Sequence, residues 1–165
     1  MTEADDHQLD HKDLLPASIR RRAAARIAAV QTLYQQWGSA LALTDVVASF
    51  QKRFLPELLK ALNLTHLNDQ HYTRLVFGVD ARRADMDGHI SSYLGEGWTM
   101  DRINQIDRDI LRLAMLEFED LPDIPARTII SEYSAIADSW EVDTAYITAI
   151  LDRLAHQFRP QEFAE

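Results

Sequence analysis

Cysteine is absent from the 165 residues. This excludes disulfide staples, thiolate metal sites and cysteine nucleophiles together, and it suits a reducing compartment. No apolar run approaches the roughly 20 residues of a membrane span, and the opening stretch Met1 to Asp13 is acidic, unlike a leader peptide. No segment alternates with period two for long, so strands are not expected. There is no glycine-rich loop between a strand and a helix to cradle a phosphate, and no HExxH spacing for a metal. Histidines 66, 71, 89 and 156 fall singly, mostly on polar faces, and His7 with His11 on an acidic stretch makes only a weak metal clip. The sequence therefore assigns no catalytic residue, no cofactor and no metal. It reads as a cytoplasmic protein without chemistry of its own.

Basic residues are also scarce, with 17 Lys and Arg against 26 Asp and Glu and a formal charge of −9. That balance disfavours indiscriminate nucleic-acid binding. Surface charges are screened within about 8 Å at physiological salt, so distribution matters more than the sum. Glu3, Asp5, Asp6, Asp10 and Asp13 face only Lys12, and then Arg20, Arg21, Arg22 and Arg26 follow with no acid among them. The arginines stand at a helix N-terminus, where the macrodipole disfavours cations. A solvated face is the plain reading, and a polyanion to grip is the functional one. The acids before them, tethered nearby, could compete with phosphate by mimicry.

What the chain does have is helical periodicity. Residues 1–15 read as an acidic, disordered tail. Pro16 and Ser18 start a helix that runs to Gly38, and Arg22 with Arg26 share a face by the four-residue rule. Thr44-Asp45 caps a second helix through Phe54, and Pro56 to Leu62 gives one or two more turns. From the Asn68 cap the three-four rhythm holds for about seven turns. Gly78 and Gly88 inside it point to close helix packing. Thr99 caps a short turn, and Ile106 to Phe118 forms an axle helix, apolar nearly all round and belonging inside a bundle. Pro125 opens the next helix, and Asp143 or Thr144 the last. The fold class is all-α, a compact bundle of about seven helices. Within the axle, Glu117 reads as a buried carboxylate paired to an arginine or capping a neighbour, in preference to a catalytic acid.

With these segments in order, the chain resembles the NusB family of transcription antitermination factors. Arg21-Arg22-Ala23 through Ala29-Val30-Gln31-Thr32-Leu33-Tyr34 is similar to that family's RRxAR…AxQxLY signature, and Ile110-Leu111-Arg112-Leu113-Ala114-Met115-Leu116-Glu117-Phe118 to its ILRLAxxEL core. Ile124-Pro125 with Ile130-Ser131-Glu132 resembles its VP…INE segment, and Leu151-Asp152-Arg153-Leu154 stands where it has VLDxL. The resemblance runs from about Ser18 to Pro160. It implies a NusB-like helical domain over 16–160, with subdomains 16–97 and 98–160 packed side by side. It also implies binding of the boxA segment of nascent rRNA together with the ribosomal protein NusE, within the RNA polymerase antitermination complex. By matched position, Arg20, Arg21, Arg22, Arg26, Tyr93, Arg112 and Tyr146 would face RNA, and Tyr34 and Asp107 the partner. No membrane is implied, and monomer or homodimer stays open. The chain departs from the pattern at Tyr146-Ile147-Thr148-Ala149, which replaces FVNG, at Ser131 for asparagine, and in a shorter, glycine-free Trp140–Asp143 loop. These changes fall near the family's RNA face, so the alternative is a helical interaction module that has lost RNA binding.

Overall fold

The structure, a computed structural model, describes residues 15–140 and 143–164. The acidic tail up to residue 14, with its histidine pair, and the centre of the Trp140–Asp143 loop lie outside the described residues. Within them are seven helices: α1 (Ala17–Trp37), α2 (Leu43–Arg53), α3 (Leu55–Ala61), α4 (Asp69–Ser91), α5 (Gln105–Asp120), α6 (Ala126–Ser139) and α7 (Thr144–Phe158), with single 3-10 turns at Met100–Arg102 and Pro160–Glu162. No strand occurs among the described residues. The all-α bundle expected from periodicity is the observed fold.

Helix α5 is the axle. Every residue from Asp109 to Phe118 is buried, including the three charged ones, Asp109, Arg112 and Glu117. It packs against α1, α4, α6 and α7, and a helix with neighbours on all sides has to be apolar all round. Its start is capped by Asn104, whose side chain accepts the Asp107 amide at 3.0 Å; the short turn expected after Thr99 is the 3-10 turn Met100–Arg102, which the Thr99 side chain does not cap. Asn68 likewise accepts from the His71 amide at 3.0 Å, as the sequence indicates, and of the two caps expected for α7 it is Asp143 that accepts the Tyr146 amide at 3.1 Å. Helix α2 begins at Leu43, ahead of the expected Thr44-Asp45 cap, and no side chain caps it. Just past the end of helix α3, Asn63 has a φ of 54°, which lets the Leu64 amide bond back to the Leu59 carbonyl at 2.9 Å.

Helix α4 is not the uninterrupted rod its rhythm suggests, because Arg82 is non-helical (φ −121°, ψ 16°) and kinks it. Its two glycines also differ. A Cβ on Gly78 would lie 2.3 Å from Leu116 Cδ1, so the close approach of α4 to α5 needs that glycine; nothing lies within 4 Å of a Cβ on Gly88, and packing does not explain it. Gly88→Ala is therefore expected to stabilise the fold by up to about 1 kcal/mol through helix propensity. Gly78→Ala is expected to destabilise it by about 1–2 kcal/mol, overpacking outweighing propensity. Urea midpoints of the two variants should move in opposite directions.

Candidate nucleic-acid interface

The four arginines that open α1 have separate fates. Arg26 is only 2% exposed. Its guanidinium clasps Glu117 through Nε to Oε2 at 2.9 Å and Nη2 to Oε1 at 2.8 Å, with Glu132 at 3.7 Å. Glu117, fully buried, also accepts from the Tyr133 hydroxyl and has His71 Nε2 at 3.4 Å. Burial alone would push this carboxyl up. The close approach of His71 and the hydrogen bonds and charge of Arg26 outweigh it and hold it at about 2. Burial and the neighbouring Glu117 charge push the Tyr133 phenol well up, so it stays a donor. This corrects two expectations. Arg26 belongs to the core, not to a shared arginine face with Arg22, and His71 lies inside rather than on a polar face. The reading of Glu117 as an arginine's partner is what the geometry shows.

Arg20 lies over the end of α3, donating from Nη2 to the Leu62 carbonyl at 2.7 Å and the Asn63 carbonyl at 3.3 Å. Arg21 and Arg22 are half-exposed, and neither has an ion-pair partner among the described residues. The Arg21 carbonyl accepts the Asn68 amide at 3.1 Å, which sets the start of α1 beside the start of α4.

Arg112 is likewise inward, 5% exposed. It grips Asp87 through Nε at 2.7 Å and Nη2 at 2.8 Å, and Asp109 through Nη1 at 3.0 Å. Gln105 donates to the other Asp109 oxygen at 3.0 Å. An Arg112 so engaged positions α4 against α5 and presents no free fork to a phosphate. That is a second correction to the residues matched by resemblance.

The remaining candidates gather at the other end of the bundle. Tyr34 is exposed, with the Trp37 ring at 6.0 Å and the Trp140 ring at 5.9 Å. Trp37, which keeps helical spacing with Val30 and Leu33, is itself exposed. Beside it opens a hollow of about 460 Å³ lined by Leu41, Arg83, Gln105 and Arg108. Asp107, 5% exposed, keeps its Oδ1 without a hydrogen-bond partner among the described residues. Burial, then the nearby Asp143 charge, pushes its carboxyl up to about 6. Tyr146 is half-buried, its hydroxyl donating to the Leu94 carbonyl at 3.0 Å and its ring 5.8 Å from the Trp98 ring. Tyr93 is half-buried, and its carbonyl accepts from Arg153 at 2.8 Å. The structure thus brings Tyr34, Tyr93, Asp107 and Tyr146 to one end, while Arg20, Arg21 and Arg22 sit at the far end of α4, whose 23 residues span about 35 Å. Arg102, Arg153 and Trp98 were not singled out from sequence. Their only signal was the two glycines, Gly95 and Gly97, before Trp98.

A second hollow, about 630 Å³, lies between α6 and α7 and includes Arg127, Ser131, His156 and Phe163. Across it Ser134 and Thr148 share a hydrogen bond at 2.8 Å, so two of the positions where the sequence departs from its pattern, Ser131 and Thr148, line one groove.

Comparison with known proteins adds the lineage. Residues 23–156 match the model of the NusB family. The chain is 35% identical over 146 residues to the transcription antitermination protein NusB of Rhodopseudomonas palustris (strain BisB18), covering 87% of this chain and 86% of that one. It is 33% identical over 157 residues to the protein of that name from Nitrobacter hamburgensis, covering 94% and 98%. A solved T. maritima NusB structure superposes with a TM-score of 0.67 at 26% identity, over 86% of this chain and 96% of the other. By sequence and by fold, the chain belongs to the NusB family of transcription antitermination proteins.

Proposed function

We propose that the chain is an RNA-binding antitermination factor of the cytoplasm, which holds a boxA segment of nascent rRNA together with the ribosomal protein NusE and so joins the RNA polymerase antitermination complex. The observation that carries this reading is the pair Arg21 and Arg22. They are half-exposed and without an ion-pair partner among the described residues, in a chain of net charge −9. A guanidinium that pairs with none of the carboxylates among the described residues is available for phosphate, and its flat fork also stacks on bases. Arg20 supports the same edge while bonded to α3. Tyr93 and Tyr146 are assigned to the RNA at the opposite end, so the strand would run along the bundle. Tyr34, with Trp37 beside it, and Asp107 are assigned to NusE.

The test is Arg21→Ala/Arg22→Ala, leaving Arg26 in place. Affinity for a boxA-type oligoribonucleotide at low salt is expected to fall about tenfold or more. The slope of log affinity against log salt should shrink by about 1–2, since each lost phosphate contact releases fewer counterions. Helicity and the thermal midpoint should be unchanged. Wild-type affinity in this variant would remove the arginine edge from the reading.

A second reading has its own support. With Arg26 and Arg112 both committed to internal ion pairs, the cationic surface is smaller than the sequence suggests, as befits an interaction module that has lost RNA binding. Capture of NusE by a protein that ignores RNA, alone and as the pair, selects this version.

A further inference from the structure

The turn joining α4 to α5 carries an aromatic ring that the assignment above does not use. Gly95 (φ 94°) and Gly97 (φ 81°) take left-handed conformations closed to most side chains, and the Trp98 amide returns to the Gly95 carbonyl at 3.2 Å. The result lifts Trp98 clear of the core, 51% exposed, with its ring tilted 47° against Tyr146 at 5.8 Å. An exposed tryptophan on a loose loop would mean little, but three side chains fix this one. Arg102 donates to the Gly97 carbonyl at 2.6 Å, Arg153 to the Tyr93 carbonyl at 2.8 Å, and the Tyr146 hydroxyl to the Leu94 carbonyl at 3.0 Å. Both guanidinium groups are exposed beside the ring pair and keep further N–H donors.

We infer that Trp98 and Tyr146 form a stacking step for one unpaired nucleobase of a single-stranded RNA, flanked by Arg102 and Arg153 for its phosphates; this rests on the RNA-binding reading above. Two adjoining rings with cations at their margin fit a flat base on an anionic backbone, since stacking needs only a π-face and charge holds the strand in place. Glu96 and Asp101 are exposed on the same turn, and Arg102 and Arg153 stand against them; the two carboxylates nearest Tyr146 do not oppose the step. Asp143 is occupied as the α7 cap, where the helix dipole offsets its charge, and Asp107 is almost wholly buried. The step is continuous with Tyr93 through Arg153, so it extends a surface already assigned to RNA. A protein partner's apolar side chain is the competing occupant, and the test separates the two.

The experiment titrates the full chain with a short boxA-type oligoribonucleotide while following tryptophan emission, for wild type, Trp98→Phe, Trp98→Leu and Trp98→Ala. Bound RNA should quench the wild type, and most of that quench should vanish in Trp98→Phe, which nevertheless keeps near-normal affinity. Trp98→Ala should bind about tenfold more weakly or worse, on the scale of one lost base stack. Trp98→Leu keeps apolar cover on Tyr146 without a π-face; it should lose affinity as alanine does while its thermal midpoint stays at the wild-type value. Wild-type affinity and quench throughout the series would overturn the inference, as would loss of NusE capture with RNA binding intact. If the Arg21→Ala/Arg22→Ala variant loses RNA while the Trp98 series does not, this step alone fails. If the wild type binds no RNA with or without NusE, the functional reading fails with it.

Discussion

Arg26→Ala is expected to remove about 3–5 kcal/mol of folding stability, because it strands a buried carboxylate without its counter-charge. Glu117 is fully buried and faces the guanidinium through two oxygens. Around that pair, α1 meets α5 through the clasp itself, α4 through His71 and α6 through Tyr133. Lysine should rescue little, since an ammonium cannot reproduce the planar two-point fork. Replacing both partners with apolar residues of similar volume should restore much of the loss, as buried pairs often do when removed together. Urea unfolding of the two single variants and the double variant measures this directly. A loss below about 1 kcal/mol for Arg26→Ala, typical of an exposed pair, would contradict the buried clasp. The same site sets an acid limb. Glu117 is held at about 2 against an ordinary 4.5, and a carboxyl depressed on folding stabilises the fold above its unfolded value. That contribution is complete above about pH 4.5 and is lost as pH falls toward 2. Glu117→Gln should flatten the acid limb of the stability profile in that window.

This clasp also explains why an Arg21/Arg22/Arg26 triple variant, the natural design from sequence, would mislead. Such a protein would lose RNA binding by losing its fold, and the phosphate contacts would stay unmeasured. Local spacing placed Arg22 and Arg26 on one face, but spacing alone does not say which way the face turns. The clue was in the composition around it. Arg26 is set among Ala25, Ala28, Ala29 and Val30, all buried, and an acid with no local partner waited in the axle helix. Pairing the two requires a contact across 91 residues of sequence, which periodicity cannot see. The same limit hid Asp87 as the partner of Arg112, 25 residues upstream.

What periodicity does see is any feature decided by neighbours three or four residues away. The helices, the Asn68 and Asp143 caps and the buried axle were all legible on that ground. The kink at Arg82 was not, because its run of apolar positions continues past the break. Nor was the exposure of Trp37, which keeps the stripe's spacing beyond the point where α1 has neighbours to cover it. The aromatic end was legible only by resemblance, residue by residue. No local rule joins Tyr34, Tyr93, Asp107 and Tyr146 across three helices and the turn after α4.

Arg159→Ala should be comparably damaging, through backbone groups rather than a charge pair. The helix α5 ends without a glycine cap, so its last carbonyls need other donors. Arg159, 3% exposed, supplies them: Nε donates to the Phe118 carbonyl at 2.6 Å, and Nη2 to the Glu117 and Leu121 carbonyls at 3.1 and 2.9 Å. Nη1 reaches the Ile124 carbonyl at 3.1 Å and Glu162 at 2.6 Å, and Glu162 in turn accepts the Ala126 amide at 3.0 Å at the start of α6. One guanidinium thus ties the end of α5, the turn after it and the start of α6 to the close of α7. Without Arg159 the Glu117 and Leu121 carbonyls keep the Leu121 and Ile124 amides, both at 3.1 Å, while the Phe118 and Ile124 carbonyls lose their donor; each buried carbonyl left unsatisfied costs about 1–3 kcal/mol, and a total of about 4 kcal/mol is expected. Lysine can reach one or two of these carbonyls and should recover less than half of it. Amide exchange should separate this lesion from that of Arg26→Ala, because protection ought to fall first over Glu117–Ala126 and the end of α7, with α1 and α4 less affected. Uniform loss of protection across the bundle, or a destabilisation under 1 kcal/mol, would show that Arg159 is not what closes this end of the axle.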